Sequence, residues 1–124
     1  MSEVPARPRL MWVSPLPPTR SGVADYAAEI LPELAAHADV TVVEPPGWQP
    51  PPEGGAWLDL PRISHASVGG EGVVSLLHLG NNPYHLWVAA RLRRHGGVVV
   101  LHDPVLHQQV MEHRVMQHHH PAVP

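Results

Sequence analysis

Apolar residues along this chain fall into two kinds of run. Short, largely unbroken stretches at Arg9–Val13, Asp39–Glu44, Val73–Leu79 and Val98–Leu101 are rich in Val, Leu and Trp and too short for helices. Their continuity suits strands covered on both faces, as in a parallel sheet. Between them the spacing changes. From Gly22 to about His37 the apolar Val23, Ala27, Ile30, Leu31, Leu34 and Ala38 recur at helical intervals, which predicts one buried face. Pro32 falls inside that pattern, so the helix is expected to kink just before it or to restart at it. A further helical segment is expected over 83–95. Another is expected from 105 to about 117, where Val105, Leu106, Val110, Met111, Val115 and Met116 show mixed helical spacing.

Alternation of strand and helix predicts an α/β fold, a Rossmann-like parallel sheet with flanking helices. The stretch 45–72 is the exception. Pro45-Pro46, Pro50-Pro51-Pro52, Gly54-Gly55 and Gly69-Gly70 break it, and it reads as mostly loop. A short strand over 56–60 or a single helical turn over 63–66 are the elements it could hold. The tail 118–124 has two prolines and no capping residue and is expected to be disordered, which leaves 1–117 as one domain.

Composition narrows the function classes. A chain of 124 residues has room for one self-sufficient core. With 8 Lys and Arg against 11 Asp and Glu, the net charge of -3 gives no footprint for a nucleic-acid backbone, so no nucleic-acid partner is expected. Eleven histidines make the sign of that charge soft near pH ~6. Absence of cysteine excludes disulfides and thiolate metal sites. No apolar run approaches the ~20 residues of a membrane span, and no signal-peptide core is visible, so a cytoplasmic location is expected.

In open α/β sheets ligands bind beyond the carboxyl ends of the strands. Three loops end there, at 14–22, 80–85 and 102–107. Ser21 can cap the first helix and Gly22 opens its start, so the free N–H groups and positive dipole end suit a phosphate. Simple capping and a turn glycine explain the same residues. No P-loop lysine and no GxGxxG accompany them. Asp25 complements the helix dipole, and Tyr26 packs or stacks on a sugar. Gly80-Asn81-Asn82-Pro83 is a turn by composition, and its amides, like the His85 imidazole, suit sugar hydroxyls. His102-Asp103 closes the last strand, where Asp103 can also cap a helix opened by Pro104.

Taken in order, Ser14-Pro-Leu-Pro-Pro18 with Ser21-Gly-Val-Ala-Asp-Tyr26, His78-Leu-Gly-Asn81 with His85, and Val98-Val-Val-Leu-His-Asp103 resemble the start of a family-4 retaining glycosyltransferase of the GT-B fold. The resemblance covers Leu10 to about His107 and weakens in the proline-rich middle. It implies a partial GT-B amino-terminal domain that moves a sugar from a nucleotide diphosphate sugar to a hydroxyl of a glycan or lipid-linked acceptor, with no cofactor and no metal. It places Ser21 and Gly22 at the donor phosphate, although many similar enzymes carry a Gly-Gly pair there. It puts Asp25, Gly80, Asn81 and His85 in the acceptor cleft, and His102 and Asp103 in the catalytic role. It also implies a donor-binding second domain with the family's paired glutamates. These 124 residues do not hold that domain, so the chain reads as a truncated product with little turnover by itself.

Two other readings stand beside this one. A non-catalytic half-domain, whether an interaction piece or a decayed remnant, would self-associate through exposed apolar surface. The segment 86–95, with Trp87 and Leu92 beside Arg91, Arg93 and Arg94, reads as a crossover helix with a solvated basic edge or as a peripheral contact to the inner face of an anionic membrane. Histidine spacing does not favour a metal. His102, His107 and His113 are five and six apart, and only Asp103 with His107 shares a helical face.

Overall fold

The computed structural model describes residues 7–53, 55–67 and 69–102; Asp103, the expected helix over 105–117 and the tail 118–124 lie outside the described residues. The elements are β1 (Arg9–Val13), α1 (Gly22–Ala35), β2 (Asp39–Glu44), β3 (Arg62–Ser64), β4 (Val73–Leu79), α2 (Leu86–His95) and β5 (Val98–Leu101). Short 3-10 turns occupy Ala56–Asp59 and Pro83–His85. All four strand pairs are parallel, in the spatial order β3-β2-β1-β4-β5. The fold is therefore α/β and Rossmann-like, as the alternation predicts.

Strand alternation divides the core into two layers. Trp12 points to one face with Val40 and Val42, where Ala27 and Leu31 of α1 and Trp57 of the first 3-10 turn cover it. Met11 and Val13 point to the other with Val43, Leu77 and Leu79, beneath Val88 of α2. Being central, β1 is sealed on both faces: Met11, Trp12 and Val13 are all buried.

Helix α1 starts where Ser21, in extended backbone, accepts a hydrogen bond from the Ala24 N–H through its side chain at 3.0 Å. Its last turn contains no basic residue. Arg7 supplies the missing cation from outside, donating to the carbonyls of Ala35 at 2.8 Å and Ala38 at 2.9 Å while pairing with Asp39 at 3.0 Å. The clamp satisfies carbonyls that a helix end leaves open and places positive charge at the negative pole of the dipole.

Several expectations need correction. The helix does not restart at Pro32. One helix runs through it and ends at Ala35, because Ala27 and Leu31 are held in the core while Pro32 lies exposed, where water can serve the carbonyl that loses its partner. The stretch 45–72 is mostly loop, as expected, but the two short elements it holds are exchanged relative to the expectation. Residues 56–59 form the helical turn, because Trp57 swings its indole into the α1 layer and is buried. The strand lies at 62–64, where β2 offers pairing positions from Val42 to Glu44. The segment 83–95 begins as a 3-10 turn, with the Asn82 side chain accepting from Tyr84 N–H at 3.0 Å, before α2 proper.

Residues 65–72 join β3, at one edge of the sheet, to β4 beyond β1, with no helix among the described residues between them. Gly69 lies so close to Met11 Sδ that a Cβ would collide with it, which presses this link onto the α2 side of the sheet.

Candidate functional site

The strand order reverses direction at β1: the chain goes to β2 and β3 on one side, then returns to β4 and β5 on the other. The loops after β1 and β4 therefore part above the sheet, where open α/β folds bind ligands. Ser14, Pro15 and Leu16 of the first loop are fully buried, so it leaves β1 as a fixed wall. The Ser14 hydroxyl accepts from Trp12 Nε1 and donates to the Pro15 carbonyl, both at 2.7 Å, which orients the indole.

Against that indole lies His78. The two rings are 4.0 Å apart between centroids, and His78 Nδ1 is 2.9 Å from His102 Nε2. Tyr26 of α1 closes the group, 5.0 Å from His102 in an edge-on contact and 6.0 Å from His78. Register explains the pair: His78 stands opposite Val100, and His102 is two residues beyond it on the same face of the sheet.

Burial, reinforced by the neighbouring His102 and His85, lowers the His78 pKa from 6.5 to about 3. His78 is thus neutral at pH 7 and holds one ring proton. Its Nε2 is buried with no hydrogen-bond partner among the described residues. An unpaired N–H is rarer in a protein interior than an unpaired acceptor, so the proton belongs on Nδ1, donating to His102 Nε2. His102 then accepts through Nε2. The tautomers are assigned from this hydrogen-bond logic.

The other expected residues divide between this cluster and the loop beside it. Ser21 is used as the helix cap, Gly22 is exposed with open space where a Cβ would stand, and Asp25 is exposed in the first turn of α1. Gly22 and Tyr26 are one helical turn apart, which brings the start of α1 toward His102. Gly80 and His85 form a unit of their own. His85 is fully buried, its Nδ1–H donates to the His78 carbonyl at 2.8 Å, and its Nε2 would lie 2.8 Å from a Cβ on Gly80. Only glycine at 80 lets that imidazole fold over the end of β4. His85 thereby fixes the loop that holds the half-buried Asn81.

An apolar cavity of about 280 Å³, bordered by Pro15, Thr19, Pro46, Tyr84 and Trp87, opens at the same end of the sheet. Among the described residues no group of three or more His, Asp or Glu is placed to hold a metal ion. No helix among them is long and apolar enough to cross a membrane. Trp87 and Leu92, partly buried, pack against the α2-side core.

Sequence reasoning did not single out Trp12 or His78 as site residues. His78 sits between leucines in a strand and reads as core. Pairing β4 with β5 in parallel is the signal that brings it to His102. Comparison with family models, with curated proteins and with solved structures returns no match.

Proposed function

We propose that this chain is the acceptor-side half of a nucleotide-sugar-dependent glycosyltransferase acting with retention. The observation that supports the reading is the meeting, at the reversal of strand order, of an open helix start at Gly22 with the Tyr26–His78–His102 cluster. Donor phosphates would rest on the free N–H groups of α1, which stabilise charge developing on the leaving group. The acceptor hydroxyl attacks the anomeric carbon from the face that the nucleotide leaves. The C–O bond to phosphate breaks with its electron pair going to the phosphate oxygen, and the hydroxyl proton passes to that oxygen. His102 borders the sugar while His78 holds the ring from behind. Asp25, Gly80 and Asn81 border the acceptor, and Asp103 assists. The reading requires a donor-binding domain supplied from beyond these 124 residues.

Nitrogen-15 NMR titration of the chain with UDP-glucose, GDP-mannose and ADP-glucose tests it. Shifts concentrated at Gly22, Tyr26 and His102 are expected with at least one donor, and their loss in His102→Ala. Silence with all three donors overturns the placement of the donor phosphates on α1.

A second reading rests on a separate observation. Val98, Val99 and Leu101 of β5 are exposed, Leu101 at 56%. An edge strand with this surface suits a non-catalytic piece that associates through β5. Gel filtration showing concentration-dependent growth, abolished by Leu101→Lys, would favour it.

A further inference from the structure

Helix α2 and the segment after β3 enclose a second site, on the face of the sheet opposite Trp12 and His78. Arg91, in the middle of α2, is only 5% exposed. Its Nη1 donates to the His65 carbonyl at 2.8 Å, and its Nε is buried with no partner among the described residues. Ion pairs among those residues join Arg7 to Asp39 and Arg62 to Glu44, and Arg91 takes part in neither. Burial lowers its pKa, as expected for a cation without a counter-charge.

This guanidinium borders a cavity of about 200 Å³, together with His65, Trp87, Arg94, His95 and two alanines. Among the described residues no acidic residue lines it, and α2 itself contains none. In a chain of net charge -3 this is a local concentration of two arginines and two imidazoles. A buried cation is stable when an anion completes it. With Nη1 committed to His65, the side-on edge of Nε and Nη2 remains, a fork that matches two oxygens of a phosphate.

We propose that this cavity binds a phosphate group, gripped by Arg91 and Arg94 with His65 and His95 at its rim. The site stands independently of the glycosyltransferase reading, because it shares no residue with the His78–His102 cluster. Two sources offer that chemistry: a soluble phosphate or phosphate ester, and the headgroup of an acidic phospholipid.

Calorimetric titration of the intact chain with inorganic phosphate addresses the first, and co-sedimentation with phosphatidylcholine vesicles, with and without phosphatidic acid, the second. Saturable binding in at least one arm is expected, weakened about tenfold or more by Arg94→Gln, whose parent side chain is exposed and whose loss spares the fold. Arg91→Met, which keeps the buried stem, should weaken it at least as far. Arg93→Gln, an exposed neighbour outside the cavity lining, should leave it unchanged. Response to inorganic phosphate assigns a soluble ligand, and response to phosphatidic acid alone assigns a lipid. Absence of binding in both arms, or equal weakening by Arg93→Gln and Arg94→Gln, overturns the proposal.

Discussion

Strands β1 and β5 are both short, apolar and parallel to β4, yet one is sealed and the other lies open. Trp12 is 2% exposed and Val98 51% exposed. The difference does not come from the hydrophobicity of the strands. It comes from their neighbours: β1 has a strand on each side and a covered face above and below, whereas β5, among the described residues, is paired only with β4. Position in the sheet, more than composition, decides how much each side chain contributes to stability.

Matched substitutions at the two strands give the largest expected contrast. Trp12→Ala removes an indole from the core and leaves a cavity, and should cost about 3–5 kcal/mol in denaturant unfolding. Val98→Ala in β5 should cost well under ~1 kcal/mol, because most of that side chain already meets water. Equal losses would sink the comparison. Next in size is Gly97→Ala, where α2 hands the chain to β5. Gly97 has φ +137°, and a Cβ there would stand 2.5 Å from Leu77 Cδ1 and 2.8 Å from the Ser75 carbonyl. A loss of about 2–3 kcal/mol is expected from strain and collision, read by thermal melting.

A pH series sharpens the contrast from the polar side. The folded pKa of His78 lies near 3, below its unfolded value, so the unfolded chain binds the extra proton. The stabilisation is complete above pH ~6.5 and is lost as pH falls toward 3, at up to about 1.4 kcal/mol per unit. Asn at position 78 should flatten that slope, and an unchanged slope would mean that other groups carry it. The smallest effect is expected at Leu101→Lys. Its unfolding free energy should stay within about 0.5 kcal/mol of the parent, while solubility rises as the open edge gains charge.

The same contrast explains what the sequence disclosed. Strands β1, β2, β4 and β5 were legible because their apolar runs need no partner to be recognised. β3 was not, since Arg62-Ile-Ser64 has one apolar residue and becomes a strand only when β2 pairs with it. Trp57 misled in the opposite sense: an apolar run that looks extended is curled into a turn by the demand for indole burial. Among the site residues, the Ser21 cap and the Gly80 turn follow from local chemistry. The His78–His102 contact depends on register between two strands, and the buried Arg91 on a link that lies far away in the chain. Both are long-range facts that local periodicity does not carry.

The placement of β1 also has a consequence for synthesis. Of the five strands, the first to leave the ribosome is sealed on both faces only when β4 and α2 arrive. When residues 9–44 have emerged, β1 and β2 can pair and α1 can cover Trp12. The opposite face, with Met11 and Val13, stays uncovered until Leu77, Leu79 and Val88 arrive. Through that interval the nascent chain carries a half-finished apolar surface, the state that chaperones recognise and that pairs wrongly when concentrated. Slow translation between codons 45 and 72 would lengthen the exposure, so the expression level that this protein tolerates should depend on how quickly that proline-rich stretch is read.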